Sequence, residues 1–291
     1  MTLRIGCHPS NLSLFILRHR GALEARAEAE GWQVVWKDYH HGGDSADYLR
    51  HNQLDVVGTG STPPVYAQAS GLDVAYLGAS PSRDANCALL VMKESERQAV
   101  QQIAGARIAC MKGSFTDHFI ARLLQQNGLS LKDITLVDLG GSDSARALRL
   151  GDVDVWAAID PWLGVAQEAK RVRTLARVGD YVANRSVFWC RRGWQQQHPQ
   201  QAQLVLEVLA ENDRWVAEHP KAAAQLLNQH LPDSISAASW LTTICARPWG
   251  ISAVSATLLT EQQQQADDLY ATGFLDQPLT LTAPTLTGSQ A

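Results

Sequence analysis

The chain has 291 residues, with 25 Lys and Arg against 29 Asp and Glu, and is 45% hydrophobic and 19% charged. That is about two domains at roughly 150 residues each, and it is too hydrophobic and too weakly charged for wholesale disorder. A formal net charge of −4 argues against a nucleic-acid binder that works by neutralising phosphates. No apolar run approaches the ~18 residues of a membrane span, so no direct membrane insertion is expected. Cys7, Cys87, Cys110, Cys190 and Cys245 are scattered without C-x-x-C or zinc spacing, so no disulfide scaffold, metal site or cofactor is expected.

Met1-Thr2-Leu3-Arg4-Ile5-Gly6 runs straight into a strand-like segment, with no basic and apolar leader pattern. On this reading the chain is either cytoplasmic or begins near a mature terminus. Short apolar runs then alternate with amphipathic stretches, the pattern of an α/β fold. Residues 3–7 read as a strand, 12–30 as a helix, and 32–39 as a strand with Trp32, Val34 and Trp36 on one side. Residues 42–52 read as a helix, 54–58 as a strand, 63–70 as a helix, and 74–79 and 87–93 as strands.

A second cycle follows. Residues 107–111, 134–139 and 153–159 read as strands, and 115–127, 142–150 and 161–170 as helices. Residues 172–177 and 186–190 complete the strands. From about 195 the pattern is helical, broken at Pro199, Pro220, Pro232 and Pro248. Leu54-Asp55-Val56-Val57-Gly58 is echoed by Val153-Asp154-Val155-Trp156-Ala157, so the two cycles predict two similar α/β lobes. The glutamine runs at 195–197 and 262–265 are expected on solvent-facing helix surfaces.

Four strands give way to short loops of small or polar residues that open helices. They are Gly6-Cys7-His8-Pro9-Ser10-Asn11, Gly58-Thr59-Gly60-Ser61-Thr62-Pro63, Met111-Lys112-Gly113-Ser114 and Asp160-Pro161-Trp162. The first turn of a helix leaves backbone N–H groups unpaired at the positive end of its dipole. Ser and Thr add donors there, and Gly allows close approach, so each loop can hold an anion without net positive charge. Each also has a bland reading. Ser61 or Thr62 before proline suits an N-cap, Asp160 suits another, and Gly113-Ser114 lacks the spacing of a phosphate-binding loop.

The order of Arg4-Ile5-Gly6, Arg20-Gly21-Ala22-Leu23-Glu24 and Thr59-Gly60-Ser61-Thr62-Pro63-Pro64-Val65-Tyr66-Ala67 resembles the substrate-binding proteins of ABC importers for aliphatic sulfonates, taurine and nitrate. The sulfonate branch is the nearer. Lys112-Gly113-Ser114, His118, Gly151-Asp152-Val153-Asp154-Val155-Trp156, Asp160-Pro161-Trp162 and Arg247-Pro248-Trp249-Gly250-Ile251 agree with it. The resemblance implies a periplasmic-binding-protein-like clamshell of type II. One lobe would comprise residues 1–85 and 186–291, and the other, 86–185, would be inserted, with the ligand in the cleft between them.

It implies that a sulfonate head meets Ser10, Asn11, Thr59, Gly60, Ser61, Thr62, Gly113 and Ser114. Asp160 and Trp162 would line the facing wall, and His118 would donate from one turn into its helix. Trp162, Trp189 and Trp249 are candidates for an apolar wall. His8 stands where many members carry an amide and is expected to donate in its place. Binding would then depend on the charge of its imidazole. The implied partners are an ABC permease and ATPase, the implied location is the periplasm, and a monomer without catalysis is expected. Three alternatives stay open. Sulfinate desulfinases resemble this family and use a cleft cysteine, for which Cys7 is the candidate. Pyrimidine-synthesising relatives need a cysteine-rich loop that this sequence lacks. A ligand sensor coupled to a regulator would need no change in sequence.

Overall fold

The computed structural model describes residues 1–231 and 235–281; Pro232 lies outside them. The first cycle comprises β1 (Thr2–Cys7), α1 (Leu12–Arg20), α2 (Ala22–Ala29), β2 (Gln33–Asp38), α3 (Asp44–Arg50), β3 (Val56–Gly60), α4 (Thr62–Ala69) and β4 (Val74–Ala79). The helix expected over 12–30 is two helices. Gly21 adopts φ 66°, which caps α1 and turns the chain before α2, a backbone conformation that costs glycine little.

The second cycle comprises β5 (Cys87–Met92), β6 (Arg107–Cys110), α5 (Phe115–Gln126), β7 (Thr135–Asp138), α6 (Gly141–Leu150), β8 (Val155–Ile159), α7 (Trp162–Glu168) and β9 (Val172–Arg177). Then come β10 (Ser186–Arg191), α8 (Arg192–Gln197), α9 (Pro199–Glu218), α10 (Pro220–His230), α11 (Ala237–Cys245), β11 (Ser252–Ala253) and α12 (Ala256–Ala271).

The strands form two sheets, ordered β11-β4-β10-β3-β1-β2 and β7-β6-β8-β5-β9. In each, the strand next to one edge pairs in parallel with two neighbours: β1 with β2 and β3, β6 with β7 and β8. In each, the strand that has crossed from the other lobe lies antiparallel to its neighbours. It is β10 in the first sheet and β5 in the second. Residues 80–86 and 178–185 therefore carry the chain across twice, and helices flank both sheets in a two-lobed α/β clamshell.

The echoed aspartates have one job in both lobes. Asp55 accepts from Arg4 N at 2.8 Å, Nε at 2.9 Å and Nη2 at 2.6 Å. Asp154 accepts from Arg107 N at 2.8 Å, Nε at 3.2 Å and Nη2 at 3.0 Å. Each pair ties the start of one parallel strand to the entry of the next, with the bidentate geometry that strengthens Arg–carboxylate contacts.

α12 departs from the two-lobe division. Val65 of α4, Ala121 of α5, and Ala266 and Leu269 of α12 share one buried cluster, so this last helix bridges both lobes. The glutamines of 262–265 are not all solvent-facing. Gln262 and Gln265 are buried, the first accepting from Tyr76 Oη at 2.8 Å and the second donating to Thr62 Oγ1. Spacing of i, i+3 puts both on the inner face of α12.

Candidate functional site

A cavity of about 410 Å³ opens between the sheets, where the loops that follow β1, β3, β6, β7 and β8 converge with the two crossings. In open α/β sheets ligands bind at these carboxyl ends of strands. His8, Ser10, Asn11, Thr59, Gly60, Ser114, Asp160 and Trp162 all line it.

Asn11 is the N-cap of α1, its Oδ1 accepting from Leu14 N at 3.2 Å. Its Nδ2 is buried with no partner among the described residues, a donor whose desolvation is uncompensated until a ligand accepts from it. Thr59 is already occupied, donating to Gly60 O at 2.7 Å and accepting from Trp189 Nε1 at 2.9 Å. Ser114 caps α5, its Oγ accepting from Thr116 N at 3.3 Å.

His8 is not a free donor. Its Nε2 lies 2.7 Å from His40 O, and its Nδ1 accepts from Ser10 N at 3.1 Å. Those bonds assign the neutral tautomer with hydrogen on Nε2, and burial lowers the imidazole's pKa. The ring braces the loop ahead of α1.

Four expected ligand residues do not line this cavity. His118 is buried and pairs its Nε2 with Asp268 Oδ2 of α12 at 3.1 Å. Its helix shows that face to α12, and burial holds its pKa down despite the carboxylate. Gly113, at φ 76°, donates its N–H to Asp117 Oδ2 at 2.8 Å. Thr62 is taken by Gln265. Ser61 borders a smaller cavity of about 260 Å³ beside α12, and its Oγ is buried without a partner among the described residues. Of the three tryptophans, only Trp162 lines the cleft. Trp189 is buried within β10, and Trp249 lies under Arg247, whose Cζ is 4.6 Å from its ring centroid.

The cleft also holds residues that sequence reasoning missed. Gly140, Gly141 and Ser142 open α6 into it. That loop follows the same strand–small residue–helix rule as the other four and was legible on those terms. Arg83 and Arg247 line the cavity as well: Arg83 on the first crossing, where an isolated loop arginine carries no pattern to find it by, and Arg247 after α11, in the Arg247-Pro248-Trp249-Gly250-Ile251 run that belongs to the resemblance but was given no ligand role.

Arg83 is 5% exposed. Among the described residues its guanidinium reaches only the Asn184 carbonyl and side-chain oxygens, at 3.4 and 3.3 Å. Burial and the nearby Arg247 charge push its pKa down. Arg247 Nε is buried without a partner among the described residues, and burial lowers its pKa to about 10. Two cations are thus held beside one another, short of hydrogen bonds, at the floor of the cleft. An anion would relieve both deficits.

Residues 28–223 match the NMT1/THI5-like family model. The chain belongs to the NMT1/THI5-like family. It is 29% identical over 270 residues to a protein of Escherichia coli (strain K12) named for binding aliphatic sulfonates, covering 92% of this chain and 83% of that one. The crystal structure of the periplasmic aliphatic sulphonate binding protein from Escherichia coli superposes with a TM-score of 0.85 at 27% identity, over 100% of this chain and 95% of that one. The alkanesulfonate-binding protein from Xanthomonas axonopodis pv. citri, bound to MOPS, gives 0.85 at 28% identity over 96% of each chain. These likenesses support the clamshell architecture and a solute-binding role within the family.

Proposed function

We propose that the chain binds an organic sulfonate in the cleft between its lobes and delivers it, from outside the cytoplasmic membrane, to an ABC permease and its ATPase. The observation that carries this reading is the pair of under-bonded arginines, Arg83 and Arg247, lining a cavity of about 410 Å³. A sulfonate presents three acceptor oxygens and one charge that does not titrate near neutrality, which suits two guanidinium groups, the free Asn11 amide and the N-terminal turns of α1 and α6. Phe115, Trp156, Trp162 and Trp240 add an apolar wall for an organic tail. The sulfonate-binding names of the relatives point the same way.

Binding without covalent chemistry is part of the proposal. Cys7, the candidate nucleophile of the desulfinase alternative, is fully buried and packs with Phe15, Ile16 and Trp240. Burial pushes its thiol up to about 11, which opposes the thiolate that nucleophilic attack requires.

Isothermal titration with taurine, longer alkanesulfonates, an aromatic sulfonate, nitrate and sulfate tests the reading. Saturable binding of a sulfonate class at about micromolar Kd or tighter, with the ligand recovered unchanged, is the expected outcome. Binding of none of them overturns it.

A further inference from the structure

One carboxylate acts on the cleft without lining it. Asp213 of α9 is 1% exposed and stands behind the wall, outside the residues that face the cavity. Its Oδ2 accepts from Gly250 N at 3.2 Å, three residues after Arg247, and its Oδ1 is buried without a partner among the described residues. Its charge acts on both Arg83 and Arg247, whereas that of Asp160 acts on Arg247. Among the described residues no ion pair closes between Asp213 and either arginine. Its other neighbours are uncharged: Ser13 of α1 and Asn212 of its own helix. Asn212 in turn accepts from Arg20 Nη1 at 2.8 Å and donates to Ser13 O at 3.0 Å.

Stability does not account for this charge. Burial pushes the Asp213 carboxyl up to about 6 despite Arg247, so at neutral pH its ionised form costs the fold free energy instead of adding to it. Standing back from the guanidinium groups, the carboxylate leaves their donors open to a ligand, yet it repels any anion that takes them. Resting on the sulfonate reading above, we propose that Asp213 is a positioning residue that limits the affinity of the cleft: it holds the turn from Arg247 to Gly250 and opposes the charge of the bound sulfonate. A protein that delivers its ligand has to release it, and most differences in affinity are differences in release. A sulfonate beside the arginines also draws a proton onto Asp213, because a second negative charge nearby disfavours the ionised carboxyl.

The test is isothermal titration of the full chain with methanesulfonate, 1-butanesulfonate and benzenesulfonate at about pH 7.5, with thermal melts of the ligand-free samples. Asp213→Asn keeps an acceptor for Gly250 N and removes the charge. It should bind each sulfonate that the native chain binds about three- to tenfold more tightly. The factor should be the same for every tail, since the effect acts on the head, and the melting temperature should be unchanged or higher. Equal or weaker binding by the variant, or a gain confined to one tail, overturns the proposal and leaves the sulfonate reading standing. Failure of the native chain to bind any of the three removes both. A second measurement needs no change at Asp213. Titration at about pH 6 in buffers of different ionisation enthalpy should show uptake of a fraction of a proton on binding, and the uptake should persist in Asp160→Asn. Its absence from that variant overturns the proposal even if Asp213→Asn does not fold.

Discussion

Arg83 and Asn184 clasp one another across the two crossings that join the lobes. Arg83 N donates to Asn184 O at 2.8 Å, and the guanidinium adds only two long contacts to the same residue. The side chain is fixed at the hinge while its charge goes without a carboxylate partner among the described residues. An anion bound at Arg83 would therefore bond to the hinge itself.

Arg83→Met and Arg247→Met should each weaken binding of the best sulfonate by about ten- to a hundredfold, from the loss of charge-assisted hydrogen bonds worth about 1.5–3 kcal/mol. The free protein should respond in the opposite sense. Removing a buried, under-bonded cation leaves its melting temperature unchanged or raises it. Titration calorimetry and thermal melts on the same samples check both. A fall in binding with a parallel loss of stability would mean that the arginines hold the hinge and not the ligand.

The pH dependence has a definite sign and a definite source. Burial pushes the Asp160 and Asp213 carboxyls up to about 6, and the groups that act on them are Arg247, Arg83, Ser13, Asn212, Gly250 and Gly164, with Cys87 beside Asp160. As pH falls through about 6, each loses a negative charge from the neighbourhood of the arginines. An alkanesulfonate should therefore bind more tightly at about pH 5 than at pH 7.5. His8, held neutral by burial, contributes little, so His8→Gln should keep the profile, whereas Asp160→Asn should reduce it to the part that Asp213 supplies. Alkanesulfonate affinities of the native chain and both variants across that range decide the matter.

Particular residues show what the sequence could and could not convey. Asp55 and Asp154 recur because both lobes need the same Arg–Asp tie, and that recurrence revealed the twofold α/β plan. The loops after strands were legible for a similar reason, since helix N-termini impose small and polar residues locally. His118 was expected beside the ligand and instead faces another helix, because helix position alone does not say which neighbour a face meets. Here that neighbour is α12, more than a hundred residues away, which crosses from one lobe to the other. Gln262 and Gln265 were misread as solvent-facing for the same reason.

That crossing helix is held by charge as well as by packing. Asp268 accepts from His118 Nε2 at 3.1 Å, Arg122 Nη1 at 3.1 Å and Gln264 Nε2 at 3.0 Å. Asp268→Ala strands a buried imidazole and releases Arg122, and should cost about 2–4 kcal/mol of unfolding free energy. His118→Gln keeps a donor to Asp268 and should cost less. Denaturant titrations rank the two. Because neither residue lines the cleft, the sulfonate affinity of the His118 variant should stay within about threefold of native, whereas a ligand-binding His118 would lose far more.

Gly141 offers a test of the cleft wall that alters no polar group. It adopts φ 51° at the start of α6, and a Cβ built there would lie 2.8 Å from Trp162 Nε1 and 3.4 Å from the ring carbons behind it. The two loops of the inserted lobe thus touch through a gap that only glycine leaves open. Gly141→Ala has to push the indole aside and also holds alanine in the left-handed region, at a joint cost of about 1–3 kcal/mol. The displaced ring moves within the cavity wall, so sulfonates with a bulky tail should lose more affinity than methanesulfonate, whose head alone reaches the arginines. Titration of a short and a long alkanesulfonate against the variant measures that difference. Equal losses for both would place Trp162 away from the tail, and no loss for either would remove it from the site.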